Sequence, residues 1–159
     1  MFEMEVHGVN LDMLTNQPVI ILKELQSDRY LPIWIGQFEA TAILMEVQGI
    51  RPSRPLTHDL LKTVIDLLNG QVTRIVINDL REGTFYAQIH VLANSQHLQI
   101  DARPSDAIAL AVRTNVPIFA DESVLDQAAV LNEVGEEEEV ERFREFLENV
   151  KPEDFKDKS

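Results

Sequence analysis

Two acidic side chains, Glu39 and Asp106, hold equivalent positions in two related stretches of this sequence. A shift of 67 positions brings four identical pairs into register, Leu31 with Leu98, Ile33 with Ile100, Ala40 with Ala107 and Ala42 with Ala109. Each stretch combines a short apolar strand, a turn, an acid and an Ala-rich helix. The pattern indicates an ancestral duplication, whose pseudo-two-fold would bring the two carboxylates into one cleft.

Converging carboxylates are suited to metal-assisted hydrolysis. Oxygen ligands such as Glu39, Asp101 and Asp106 are those that Mg²⁺ or Mn²⁺ prefers. Such an ion lowers the pKa of a bound water and stabilises charge on a phosphodiester. An alternative interpretation is that each acid complements the macrodipole of the helix it opens, which contributes about 0.3–1 kcal/mol. The sequence leaves both interpretations open.

The segment Asp101-Ala-Arg-Pro-Ser-Asp106 joins a predicted strand to a predicted helix. Arg103 would clamp a phosphate, because the planar guanidinium grips oxyanions with two parallel hydrogen bonds. Ser105 lies in the same turn and is assigned with Arg103 to substrate binding. The alternative is an internal Asp–Arg pair within this segment that holds the strand–helix corner together.

A third group of residues is a basic loop that leads into a helix N-terminus: Arg51, Arg54, Thr57, His58 and Asp59. Helix starts with nearby arginines bind phosphate, which assigns Arg54 to substrate binding. Histidine as a residue type has a reference pKa near neutrality, so His58 suits a general acid or base, with Asp59 beside it in the catalytic set. Alternatively, Thr57 is the N-cap, and Thr57 and Asp59 serve only to cap the helix. In that case the side chain of His58 is solvated.

Composition restricts the functional classes. The chain has 159 residues, no cysteine and a formal net charge of -13. This length predicts a single domain, and the lack of cysteine excludes disulfides and cysteine-ligated metals. The acidic balance disfavours non-specific binding to nucleic acid or to an anionic membrane. Because neither a signal-peptide pattern nor a membrane-spanning apolar run is present, we expect a cytoplasmic protein.

Hydrophobic periodicity predicts an α+β fold with a mixed or antiparallel sheet, two β-β-β-α repeats and extra C-terminal helices. Residues 1–132 would form the domain, and residues 133–159 an acidic helical extension docked on it. Helices are predicted over residues 37–48, 57–68, 106–113, 121–130 and 136–149. In the second half, a two-residue loop at Asn94-Ser95 would pair Val91 with Leu98, Ile89 with Ile100 and Ala87 with Ala102.

Three motifs then follow one another in the sequence. They are Leu31-Pro-Ile-Trp-Ile-Gly36 with Glu39-Ala40, Arg54-Pro-Leu-Thr-His-Asp-Leu-Leu61, and Asp101-Ala-Arg-Pro-Ser-Asp-Ala-Ile-Ala-Leu-Ala111. Through them residues 3–130 resemble the bifunctional nuclease domain, and the C-terminal tail resembles that of its stand-alone bacterial members. The resemblance implies an α+β domain and nuclease activity, which in a plant relative acts on both DNA and RNA. The residue roles given above come from chemistry, not from the resemblance.

Two hypotheses about function remain. The first is a weak metal-assisted phosphodiesterase acting on DNA or RNA, in which Glu39, Asp101 and Asp106 hold the ion and His58 assists proton transfer. The second is a non-enzymatic, homo-oligomeric module that binds a partner protein or a small ligand. Composition favours the second hypothesis, and the family resemblance favours the first.

Overall fold

The computed structural model describes residues 1–131, which form eight strands and four helices. The strands are β1 (Phe2–Asp12), β2 (Gln17–Glu24), β3 (Arg29–Trp34), β4 (Gly70–Arg81), β5 (Thr84–Ala93), β6 (Gln96–Ala102), β7 (Ile118–Ala120) and β8 (Val130–Leu131). The helices are α1 (Gln37–Val47), α2 (Thr57–Leu67), α3 (Pro104–Thr114) and α4 (Glu122–Ala128). None of these four helices has the length and apolar character needed to cross a membrane.

All eight strands belong to one sheet with the order β6-β5-β4-β7-β1-β2-β3-β8. Neighbouring strands run antiparallel, except that β4 and β7 run parallel. The short strand β7 therefore joins the three-stranded meander of one half to that of the other, and β6 lies at an edge. The predicted α+β class with a mixed sheet is confirmed. Each half supplies three strands and then a helix, whereas the duplication itself stays a hypothesis.

The hairpin between β5 and β6 has the predicted register. Val91 pairs with Leu98, Ile89 with Ile100 and Ala87 with Ala102. Both loop residues are left-handed, with φ of 51° at Asn94 and 64° at Ser95. Two left-handed residues make the tight turn whose twist matches that of antiparallel strands. The local sequence therefore determines this part of the sheet.

Helix α3 is the central buried element, as its apolar composition predicts. Arg103 is its N-cap, Pro104 occupies the first turn, and Asn115 closes it in the left-handed conformation. Ala107 and Ala109 are fully buried, and their small side chains allow neighbouring elements to approach closely. The helix packs against α1 and α2 and against strands β4 and β5. Its first turn is thereby held close to the starts of the other two helices.

Several predicted details are wrong. The N-cap of α2 is Leu56 and not Thr57, because the Asp59 carboxylate satisfies the Leu56 amide. Helix α4 ends at Ala128 rather than at residue 130. Phe38 has helical spacing with Ala42 and Met45 in the sequence, yet it is 89% exposed. The predicted helix over 136–149 and the docked extension over 133–159 lie outside the described residues.

Glu24 is a buried carboxylate at the end of β2. It accepts hydrogen bonds from Arg29 Nε at 2.7 Å and from Ser27 Oγ at 2.6 Å. The Arg29 hydrogen bond outweighs the effect of burial and, together with Ser27, lowers the pKa of Glu24. A carboxylate with a lowered pKa stabilises the folded state above its unfolded pKa, and this contribution disappears as pH falls through the folded value.

We therefore expect the free energy of unfolding to decrease below about pH 4, and the Glu24→Gln variant to show a shallower decrease. At neutral pH this substitution should cost about 1–3 kcal/mol, because Arg29 loses its charged partner. Urea unfolding at pH 7 and at pH 3 measures both effects, with Glu5→Gln on an exposed residue of β1 as the control. Equal pH dependence in the wild type and Glu24→Gln would contradict the assignment.

Candidate active site

Three helix starts meet at one place in the structure. Glu39 lies in the first turn of α1, His58 lies in the first turn of α2, and Asp106 lies in the first turn of α3. Arg103 is the N-cap of α3. The four residues are called the polar cluster below. A first-turn acid also complements the helix macrodipole, so the local sequence has its own reason for an acid at two of these positions.

The polar cluster is a continuous chain of hydrogen bonds. Arg103 Nη2 donates to Glu39 Oε1 at 2.7 Å, and Arg103 Nε donates to Asp106 Oδ2 at 2.9 Å. The other Asp106 oxygen, Oδ1, lies 2.8 Å from His58 Nε2. The His58–Asp106 contact joins residues 48 positions apart in sequence, and the Glu39–Arg103 contact joins residues 64 positions apart. Glu39 and Asp106 are therefore brought together through the Arg103 guanidinium, which bonds to both carboxylates.

Exposure changes along the polar cluster. The Arg103 side chain is 43% exposed and Asp106 is 31% exposed, whereas His58 is only 9% exposed. A ligand in solvent therefore meets the guanidinium first, and the imidazole lies behind the carboxylate. His58 is not the solvated residue that the alternative interpretation expected.

The pKa values follow from these contacts. The hydrogen bond from His58 lowers the pKa of Asp106, burial opposes this effect, and Arg103 adds to it. Partial burial acts to lower the pKa of Arg103, but Asp106 and Glu39 outweigh it, and the pKa is raised. At neutral pH the cluster therefore contains an ionised Asp106 beside a charged Arg103.

Gly36 makes room for Glu39. It is the N-cap of α1, and a side chain there would collide with the Glu39 carboxylate, which folds back over it. Because the backbone of Gly36 is extended, with φ of -72°, the conflict is with the carboxylate alone. Gly36, which ends the first strand motif of the sequence, thus leaves space for the carboxylate of Glu39.

Asp59 does not join the polar cluster. One of its carboxylate oxygens accepts the Leu56 amide at 2.8 Å, and the other accepts Arg113 Nε at 2.7 Å. Burial alone would raise the pKa of Asp59, but the Leu56 amide and Arg113 lower it overall. Both carboxylate oxygens of Asp59 therefore already accept hydrogen bonds from the protein itself. The predicted catalytic role of Asp59 finds no support in these contacts.

The hydrogen bonds of the polar cluster do not include three other predicted site residues. Asp101 pairs along the sheet with Gln88, and it belongs with Arg103 and Asp106 to the lining of the cleft described below. Arg103 bonds to Asp106 and to Glu39, so the internal Asp–Arg pair expected at the strand–helix corner is present, and its aspartate is Asp106. Ser105 is buried and Arg54 is exposed, and their assignment to substrate binding stays a prediction.

The acids do not form a metal site in this arrangement. Within residues 1–131, no three His, Asp or Glu side chains gather in a way that would hold a metal ion. The Arg103 guanidinium takes the position between Glu39 and Asp106 that a divalent cation would need, and the two positive charges would repel each other. The donor set as observed therefore suits an arginine rather than Mg²⁺ or Mn²⁺.

A cleft of about 640 Å³ opens between α2 and β6 and ends at the polar cluster. His58, Arg103 and Asp106 belong to its lining. The opposite part of the lining is apolar and consists of Leu60, Leu61, Val64, Ile65, Ile89 and Ile100. The cleft thus has the Arg103 guanidinium at one end and apolar side chains along much of its lining.

Two residues of interest were missed by the sequence analysis. Arg113 is buried and bonds to Asp59, to the Ala109 carbonyl and to the Ala42 carbonyl, so it ties α1, α2 and α3 together. A single arginine in the otherwise apolar part of α3 was the available signal. The exposed ring of Phe38 precedes Glu39 in the first turn of α1.

Comparisons with known proteins identify the family of this chain. The profile of the bifunctional nuclease domain matches residues 20–133. The uncharacterized protein Rv1829 of Mycobacterium tuberculosis is 48% identical over 98% of this chain and 99% of its own length. Bifunctional nuclease 2 of Oryza sativa subsp. japonica is 30% identical over 70% of this chain and 35% of its own length. Bifunctional nuclease 1 of Arabidopsis thaliana is 27% identical over the same shares.

Proposed function

This chain belongs to the bifunctional nuclease domain family, and from that premise we propose that the polar cluster hydrolyses phosphodiester bonds of DNA or RNA. The observation that carries the proposal is the chain of contacts from a half-exposed arginine through Asp106 to a buried histidine. This combination supplies an anion-binding group and a proton carrier side by side. Plant proteins named bifunctional nucleases match this chain over a third of their own length.

Arg103 is the group that would bind the scissile phosphate. Its guanidinium is already oriented by Glu39 and Asp106, so little side-chain freedom is lost when an oxyanion binds. The net charge of -13 opposes the approach of a nucleic acid. Charges beyond about 8 Å are screened at physiological salt, so the local charges decide, and there Glu39 and Asp106 offset the positive charge of Arg103. We therefore expect weak binding and slow turnover.

His58 would move the proton. Its Nε2 is engaged by Asp106, so Nδ1 is the ring nitrogen left for proton exchange with a reactant. An attacking water forms a new bond to phosphorus and gives a proton to His58, and the bond from phosphorus to the leaving oxygen breaks. The leaving oxygen takes a proton from solvent, and His58 releases the proton that it accepted to solvent. Phe38, next to Glu39 in sequence, offers an exposed ring on which an unpaired base would stack.

The apolar lining of the cleft favours a second candidate function. Six of its lining residues are leucine, isoleucine or valine. Phosphodiester hydrolysis does not require an apolar surface of this kind. A small ligand with an anionic head and an apolar body would match both ends, which corresponds to the non-enzymatic hypothesis. In that case Arg103 binds the anion and His58 performs no chemistry.

The Arg103→Ala variant distinguishes activity from contamination. Labelled single- and double-stranded DNA and RNA are incubated with the protein in Mg²⁺, in Mn²⁺ and in EDTA. We expect Arg103→Ala to lower the cleavage rate about 10- to 100-fold, the amount that one charge-assisted contact contributes. Arg81→Ala, which removes another exposed arginine paired with an aspartate, should leave the rate unchanged.

The same assay tests metal assistance, which the sequence predicted. Loss of cleavage in EDTA would support it, and cleavage that persists in EDTA would assign the reaction to the side chains alone. Cleavage equal in the wild type and Arg103→Ala would overturn the proposed site. An absence of cleavage on every substrate would favour the second candidate function.

A further inference from the structure

Strand β6 presents an unpaired edge. Among the described residues it pairs only with β5, and its residues 96–101 are exposed. Proteins usually protect an edge strand with lysine, proline, a bulge or a covering element. The stretch Gln96–Ala102 contains neither lysine nor proline, and its pairing with β5 has no bulge. This edge is therefore open to a further strand.

The outward backbone groups of β6 can be identified from the hairpin. In a two-residue hairpin the residues that flank the loop form a hydrogen-bonded pair, and the two kinds of pair alternate along the ladder. Ala93 and Gln96 flank the loop, so the backbone of Leu98 and Ile100 points at β5. The N–H and C=O groups of His97, Gln99 and Asp101 point away from it.

The sequence of β6 is complementary to itself in the antiparallel direction. With Gln99 opposite the Gln99 of a second copy, every outward N–H meets an outward carbonyl. On one sheet face Leu98 then lies opposite Ile100, and on the other face His97 lies opposite Asp101. Apolar pairs directly across a ladder stabilise a sheet, and an imidazole N–H opposite a carboxylate can donate a hydrogen bond to it.

His97 is already held in place for such a contact. Its Nε2 lies 2.9 Å from Nδ1 of the buried His90, which leaves Nδ1 of His97 as the ring nitrogen for a partner carboxylate. On the other face, Leu98 and Ile100 continue an exposed apolar surface with Leu60 and Val64 of α2. A contiguous apolar surface of this kind marks an interaction site.

We propose that β6 pairs antiparallel with β6 of a second copy of this chain, about a two-fold axis at Gln99. The pairing continues the sheet from one copy into the other and covers the apolar surface of β6 and α2. It accounts for the sequence-based expectation of a homo-oligomer and does not depend on the proposed nuclease function. Because each copy carries a net charge of -13, the dimer should strengthen as salt concentration rises.

Sedimentation equilibrium of the full chain over a concentration series tests the proposal. We expect a monomer–dimer equilibrium in the wild type. Gln99→Pro removes an outward N–H without touching the ladder to β5, and should raise the dimer Kd about 30-fold or more because two symmetric hydrogen bonds are lost. Met13→Lys, at an exposed apolar residue of the β1–β2 turn, should leave the Kd unchanged.

A charge exchange tests the register independently of proline. His97→Asp places two carboxylates opposite each other and should weaken the dimer, whereas the double variant His97→Asp, Asp101→His should restore it. Hydrogen exchange adds a local measurement: the amides of His97, Gln99 and Asp101 should be protected in the dimer and exposed on dilution. A wild type that stays monomeric at every concentration and salt level would overturn the proposal. So would a dimer that Gln99→Pro and His97→Asp leave intact.

Discussion

Replacing Arg113 by methionine should lower the free energy of unfolding by about 3 kcal/mol, the usual cost of removing one partner from a buried ion pair. The Arg113 side chain is 4% exposed and bonds to the Asp59 carboxylate. It also donates to the carbonyls of Ala109 and Ala42. Arg113→Met keeps the apolar stem but leaves Asp59 and both carbonyls without this donor, so three helices lose a common contact.

Urea unfolding followed by circular dichroism measures this loss. The matched control is Arg81→Ala, because the Arg81–Asp79 pair is exposed and exposed pairs contribute at most about 1 kcal/mol. In the Arg113→Met background, Asp59→Asn should cost less than it does in the wild type, since the carboxylate has already lost its partner. Equal losses for Arg113→Met and Arg81→Ala would show that Arg113 does not join the helices.

The second large effect is expected at His58. If His58 carries the proton during phosphodiester hydrolysis, His58→Ala should lower kcat/KM by about 10²- to 10⁴-fold, the usual contribution of a general acid or base. The buried position of His58 means that the substitution also leaves a cavity beside Asp106. Unfolding measurements on the same variant are therefore needed to separate lost chemistry from lost structure.

Added imidazole provides that separation. It should restore part of the activity of His58→Ala if the ring is the proton carrier, because a small imidazole can occupy the cavity. His7→Ala, on an exposed histidine of β1, should retain full activity. Wild-type activity in His58→Ala would assign His58 to the structure alone and leave phosphate binding at Arg103 as the only role of the cluster.

Local structure was largely predictable because it depends on neighbours in the sequence. Alternating apolar residues on both sides of Asn94-Ser95 determined the β5–β6 register, since a shift by one residue would turn the apolar side chains to the other face. The Ala-rich stretch after Pro104 predicted a buried helix. Helix ends were less predictable: the Thr57 hydroxyl was expected to cap α2, whereas the Asp59 carboxylate satisfies the Leu56 amide.

The candidate site was also predictable only in part: its local structure followed from the sequence, and its long-range contacts did not. Glu39, His58 and Asp106 were predictable as residues at helix starts, because strand, turn and helix signals are local. The position of Arg103 between two acids, the contact of Asp59 with Arg113 and the exposure of Phe38 became clear only from the folded chain. These outcomes depend on how three helix starts converge over separations of 48 to 64 residues. No local pattern encodes which guanidinium reaches which carboxylate, because packing of α3 between its neighbours sets those distances.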